Sequence, residues 1–495
     1  MHSKSSKHHV RGCPVSSAAL VGTAALALVA CGGKVVVERL DLAAGGTAGA
    51  DTTGVGASGA GGEAPLPPQG KPLWSRRFGD PDNQYASAAA IDPSGDLLVA
   101  GHFYGGLDFG GDVLQSAGFT DIYLAKLDPQ GGHLFSKRYG DGEPQYANSL
   151  AIDSESNIVL GGFFQGSVDL GAGALQTAGD WDVLVAKLDA LGNPLWARRF
   201  GDEKCQQSYA VAVDGANDVV VAGVFYGSID FGLGPLACQG ERDVFVAKLD
   251  PNGQALWAHG YGGPGYQDAT SVAVDQAGDI VVGGVFDPPL DFGGGALPSG
   301  GGRDAFVAKL DPAGAHLWSR SFGADGDQAV EHVAIDSQGH VVLVGHFSGS
   351  VDFGGGAVVS QGARDAFVVK LDADGELEWS RTFGDAGDQA AMGAAIDPQD
   401  EILVSGEFEG TMVLDATTLT SAGGSDAFVI KLGPAGNVLW SRSFGDSDWQ
   451  VARGIAADAS GGALLAAHFQ GSVAVDGQTL TSNGGSDLLL TKLEP

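Results

Sequence analysis

Four shortages mark this 495-residue chain, and each closes off a class of explanation. Basic residues number 27 against 60 acidic ones, a formal charge of −33, so the chain as a whole repels nucleic acid and anionic lipid surfaces. There are four cysteines, and no Cys-x-x-Cys, His-Glu-x-x-His or Ser-His-Asp elbow occurs, which removes the usual motif-borne routes to metal-assisted or nucleophilic chemistry. One long apolar run exists, Val15 to Ala30, and it is too short to span a membrane comfortably. Helical periodicity is missing from the repeated body of the chain, whose apolar residues come in strand-length runs or alternate with polar ones.

What is abundant is repetition. Phe78-Gly79, Tyr139-Gly140, Phe200-Gly201, Tyr261-Gly262, Phe322-Gly323, Phe383-Gly384 and Phe444-Gly445 recur every 61 residues, and the register runs from Gln69 to Pro495 without insertion or deletion. Seven copies of one unit imply one closed domain. Within the first copy, Ala86 to Asp92, Leu97 to Phe103, Ile122 to Asp128 and Leu134 to Tyr139 read as strands. Asp92-Pro93-Ser94-Gly95 and Asp128-Pro129-Gln130-Gly131 read as tight turns, with Asp bonding the backbone that follows and Gly taking the positive-φ position.

A four-stranded antiparallel meander repeated seven times predicts an all-β, seven-bladed β-propeller. An open β-solenoid would tolerate any repeat number and would need distinct caps. The chain ends favour closure: the first copy opens with the outer-strand sequence Leu73 to Phe78, and the last stops after the third-strand sequence Asp487 to Leu493. The N-terminal strand, about residues 72–79, is therefore expected to complete the last blade. Ala90 and its six equivalents suit strands crowded round an axis. The recurring Phe103 and Trp74 positions read as packing between blades.

The pattern Ala-(Ile/Val)-Asp-x-x-Gly, followed by Asp-x-x-x-x-Lys-Leu-Asp and Leu-Trp-Ser-Arg-x-Phe-Gly, resembles the bacterial seven-bladed propeller repeat called SBBP. The resemblance covers all seven copies and implies architecture far more than activity, because propellers serve as scaffolds, lectins and enzymes.

Ahead of the repeats, Lys4, Lys7 and Arg11 precede the apolar run, which ends in Leu28-Val29-Ala30-Cys31. This resembles a bacterial lipoprotein signal peptide (residues 1–30) with its lipobox. The resemblance implies cleavage before Cys31 and lipidation of its thiol, and Gly32 after it favours the outer membrane, with the protein facing the periplasm or the cell surface. Residues 31–70 are rich in Gly, Ala, Thr and Pro and read as a flexible tether, leaving 71–495 as the propeller. Gly54-Val55-Gly56-Ala57-Ser58-Gly59 matches a dinucleotide fingerprint but lacks the strand and helix that would give it meaning.

Repetition also filters candidates, since a residue identical in seven copies cannot by itself form an asymmetric catalytic constellation. Lys126, Asp121 and Gln84, with their equivalents, read as ion pairs or loop hydrogen bonds. Asp372-Ala373-Asp374-Gly375-Glu376 hints at a calcium loop, yet its counterparts make the same turn without the second acid. His102, His346 and His468 share one repeat position and read as packed or surface histidines. Cys205 and Cys238 fall in one copy, on loops of one face, where a disulfide is sterically allowed.

The positions that break the repeat are the candidates for function. Ser87, Asn148, Tyr209, Thr270, Glu331, Met392 and Arg453 form an expected ring at the channel mouth. On the same face Arg242, Arg303 and Arg364 stand near Trp181, a candidate surface for an anionic or sugar-like ligand or an acidic partner loop. The competing reading pairs each arginine with adjacent acids. These features point to a monomeric, non-catalytic envelope lipoprotein that needs no cofactor or metal and whose propeller face binds an envelope or extracellular protein or another ligand, as a scaffold or adhesion module. The alternatives are a glycan-binding propeller and an enzyme of the quinone-cofactor type, to which Gly-x-x-Leu-Trp segments such as Gly192 to Trp196 bear a faint resemblance.

Overall fold

The computed structural model describes residues 70–495; the expected signal peptide, the expected lipidation site Cys31 and all but the last residue of the expected tether lie outside the described residues. Seven four-stranded antiparallel sheets are arranged as the blades of a propeller. The first blade runs from the inner strand Gln84–Ile91 through Leu97–Phe103 and Asp121–Leu127 to the outer strand His133–Tyr139. The turns form as their residues dictate: the Asp92 carboxylate accepts from the backbone of Ser94 at 2.8 Å and Asp96 at 3.0 Å, and Gly95 sits at φ +85°. Asp372 does the same for the backbone of Asp374 and Glu376, so the suspected calcium loop is a turn of the common type.

The ring closes as expected. Pro72–Phe78 is the outer strand of the seventh blade, pairing antiparallel with Asp487–Leu493, and Ser75 opposite Thr491 adds a hydroxyl contact of 3.1 Å. Each apolar core lies between two blades rather than within one. Phe78, Leu464, Leu488 and Leu490 of the seventh blade pack with Leu97, Val99, Phe103 and Tyr123 of the first. Phe103, Phe164, Phe225, Phe286, Phe347, Phe408 and Phe469 are all fully buried.

The outer-strand aromatics tie each blade to the next. Trp74 Nε1 donates to the Pro129 carbonyl at 3.1 Å, and Trp196 Nε1 to that of Pro251 at 2.9 Å. The Phe-Gly aromatics dock on the neighbouring blade too, as Phe200 does on Phe231 with ring centroids 4.6 Å apart. The glycine that follows is required by close approach: a Cβ on Gly201 would collide with the Asp182 carboxylate and the Gln206 amide oxygen. In six of the blades a short two-stranded ribbon fills the long connection between second and third strands, such as Gly106–Leu107 with Leu114–Gln115 in the first.

Candidate functional site

The strand order gives the propeller two dissimilar ends. Hairpins joining first to second and third to fourth strands make the lower end. Connections from second to third strand and from blade to blade make the upper end.

At the lower end the repeat-identical charges are spent on one another. Lys126, Lys187, Lys248, Lys309, Lys370 and Lys431 meet Asp92, Asp153, Asp214, Asp275, Asp336 and Asp397 at 2.7–2.9 Å, and Lys492 meets Asp458. The lysine and backbone donors hold the Asp153 and Asp336 carboxyls below the usual range against the opposing effect of burial. They bring Asp458 down to about 2. A cavity of about 390 Å³ opens here, lined by Asp275, Asp336, Asp397 and Asp458 among others, all of them already committed to lysines.

The other repeated acid behaves in the opposite way. Asp121 and its six equivalents each cap the loop before the third strand, as the Asp121 carboxylate does by accepting from the Ala117 N–H at 2.9 Å. Asp121, Asp182 and Asp487 also pair with Arg138, Arg199 and Arg77. In every copy the second carboxylate oxygen is buried without a hydrogen-bond partner among the described residues. Burial accordingly raises all seven, Asp426 to about 6. The repeated glutamines clamp two loops together: Gln84 Nε2 donates to Asp80 at 2.8 Å and to the Tyr104 carbonyl at 3.2 Å.

Beside these shared caps and clamps, the upper end also carries positions whose side chains differ from copy to copy. Each inner strand carries a register shift between its third and fifth residues, and the unpaired fourth residue is Ser87, Asn148, Tyr209, Thr270, Glu331, Met392 or Arg453. The expected channel-mouth ring is thus a ring of β-bulges, which re-aim a side chain at the point where pairing lapses. Two members reach the next blade: Asn148 Nδ2 donates to the Ser208 carbonyl at 3.1 Å, and the Thr270 hydroxyl to that of Val330 at 2.6 Å. Tyr209 donates to Gln207 at 2.6 Å. Glu331 faces His346 at 3.4 Å in its own blade, while Arg453 acts electrostatically on His102, His468 and Glu407.

The arginines follow the competing reading, each meeting an acid, and the candidate surface is smaller than the sequence suggests. Trp181 is only 7% exposed, packed against Tyr146 and Phe163 at centroid distances of 5.6 and 5.1 Å. Arg242 is 3% exposed, pairs with Asp268 and lies over the rings of Tyr226 and Tyr266. Arg303 stands 4.0 Å from Asp287 and Arg364 3.5 Å from Asp388, each with more than a third of its side chain exposed. Burying an arginine requires a partner, and the acid-rich upper loops supply one in each of these blades. Two arginines, not three, therefore remain at the surface, and the tryptophan is part of the packing. The Cys205–Cys238 bridge is not formed. Cys238 is a free thiol that turns toward the Gly240 carbonyl at 3.5 Å and packs at the edge of the blade core, where burial raises its pKa.

Sequence reasoning missed a sector of aromatic rings on blades seven, one and two. Trp449 and His468 lie 5.1 Å apart, His468 and Tyr85 5.2 Å, Tyr85 and His102 5.0 Å, and His102 and Tyr146 4.6 Å. Burial, aided by Arg453, lowers His102 to about 3 and His468 well below its usual value, so both rings are neutral at neutral pH. The signal was present in the sequence: Tyr85 and Tyr146 follow the repeated glutamine, and His102, Phe163 and His468 precede the repeated phenylalanine, at positions that vary between copies.

No protein-family model matches the chain. It is 28% identical over 153 residues to an uncharacterised WD repeat-containing protein of Acanthamoeba polyphaga mimivirus, covering 28% of this chain and 11% of that protein. It is 30% identical over 177 residues to the regulatory protein FlaEY of Caulobacter vibrioides, covering 34% of this chain and 18% of that one. The matched region thus spans less than a fifth of the length of either relative. Among solved structures, the WD40 domain of Neurospora crassa Pan2 covers 85% of this chain and 97% of its own, at 12% identity and a TM-score of 0.42. Sqt1 from Chaetomium thermophilum covers 86% and 99%, at 12% identity and a TM-score of 0.43.

Proposed function

We propose that this chain is a non-catalytic protein-binding propeller whose upper face engages a partner in the bacterial cell envelope. The observation that carries the reading is the contrast between repeated and varied charge. The sevenfold lysines and their aspartates are consumed in lower-end pairs, whereas the bulge ring and surrounding loops place different side chains at one end. A scaffold that holds seven equivalent sites and varies the side chain at each suits recognition of an irregular surface better than a reaction. The partly exposed Arg303 and Arg364 belong to the charged sector of that face.

Capture from envelope extract by the full chain, compared with an Arg303→Glu/Arg364→Glu variant, tests the reading. Loss of a captured protein in the variant supports it, and an identical set of partners removes the charged sector from it. The lipobox ending in Cys31 supports anchoring by lipid, and the SBBP-like pattern supports a bacterial envelope setting. Metabolic labelling with palmitate tests the anchor: label should enter the wild-type chain and be absent from Cys31→Ser.

A further inference from the structure

We propose that the aromatic sector of the upper face is a binding site for a neutral saccharide, separate from the charged sector assigned to protein contact. The sector is a run of ring contacts through Trp449, His468, Tyr85, His102 and Tyr146, with spacings of 4.6–5.2 Å. It crosses three consecutive blades, so an extended ligand can lie along it. Tyr85, His102, Tyr146 and Trp449 are partly exposed, and Phe119, on the loop that enters the third strand of the first blade, is 57% exposed.

Polar groups stand unused among these rings. The hydroxyls of Tyr85, Tyr104 and Tyr146 have no hydrogen-bond partner among the described residues. They lie near enough that Tyr146 hinders ionisation of Tyr85, and both hinder that of Tyr104, in addition to the larger effect of burial. His468, 3% exposed, keeps an unpartnered Nδ1, and so does His102. A pyranose matches this set, because its C–H faces stack on aromatic rings while its hydroxyls both donate and accept.

Charge argues against the other ligand that aromatic rings commonly hold, an organic cation. Arg453 already disfavours protonation of His102 and His468, and would oppose a bound ammonium in the same way. Glu407, the carboxylate that reaches the sector, is occupied by Trp449 Nε1 at 3.1 Å and the Ser425 hydroxyl at 3.2 Å. The sector is therefore aromatic, hydroxyl-bearing and neutral at its rings on a chain whose net charge is −33.

The test is calorimetric titration of the full chain with maltohexaose, cellohexaose and N-acetylglucosamine hexamer, and with tetramethylammonium chloride as the cationic probe. At least one hexasaccharide should bind saturably. Tyr85→Ala and Tyr146→Ala should each weaken it by about tenfold, as loss of a stacking ring implies. Tyr85→Phe and Tyr146→Phe, which keep the ring and the packing, should weaken it less but measurably. Arg303→Glu/Arg364→Glu should leave sugar binding unchanged, which separates this site from the protein-binding reading. Absence of binding by all three sugars overturns the proposal, as does binding that survives both alanine substitutions. Preference for tetramethylammonium over every sugar also overturns it.

Discussion

The two ends of the propeller are built from the same seven hairpin meanders, yet at one end the inward charges repeat in every blade and at the other a ring of varied side chains is set among the repeated caps. At the lower end every blade makes the same buried Lys–Asp pair, such as Lys187 with Asp153 at 2.8 Å. At the upper end each inner strand makes the same bulge but carries a different residue at it, from Ser87 to Arg453. Uniform chemistry belongs where neighbouring blades must be held alike. Varied chemistry is tolerated where a bulge has already released the residue from the sheet's pairing.

The contrast can be broken most severely at the lower end. Lys187→Met leaves the Asp153 carboxylate buried and unpaired, and should lower the unfolding free energy by about 3–5 kcal/mol in a denaturant titration. Lys187→Met combined with Asp153→Leu should recover much of that loss. Next in size is Gly201→Ala, whose methyl has no room between Asp182 and Gln206, with an expected cost of about 1–3 kcal/mol.

Asp426 at the upper end and Asp458 at the lower end should also respond oppositely to pH. Asp426 has a folded pKa of about 6, above its unfolded value of 3.8, so its contribution is present below 3.8 and is lost as pH rises through 6. Asp458, brought down to about 2, contributes above its unfolded value and loses that contribution as pH falls through 2. Carboxyl carbon-13 titration of the two residues should resolve this separation, and coincident midpoints would erase it.

Smaller effects test the surface. Arg303→Glu, at a 4.0 Å exposed pair, should change stability by no more than about 1 kcal/mol while altering partner capture. Leu191→Gln, at a position 71% exposed, should change stability by less than about 0.5 kcal/mol.

Much of the scaffold was legible because it is local. Asp-Pro-x-Gly turns, strand-length runs and the missing outer strand after Asp487–Leu493 together specify blades and closure, and the observed strands agree to within two residues. The bulges are hidden in the sequence, because all seven copies share them and the period of 61 is undisturbed. Their trace is an eight-residue inner strand, Gln84–Ile91, facing the seven residues of Leu97–Phe103. Exposure is less legible. Trp181 and Arg242 stand at varied positions before a third strand, where nothing in the local sequence reveals that Tyr146, Phe163 and Asp268 cover them.

Sequence by itself determined the repeat, the turn chemistry and the ring of seven blades, since each depends on residues adjacent in the chain or on a count. Only the tertiary structure decided which varied side chains are spent and which remain open. That depends on contacts between neighbouring copies of the repeat, such as His102 with Tyr146 and Asn148 with Ser208. A repeat specifies where equivalent positions lie. What stands opposite each one is set by the neighbouring blade.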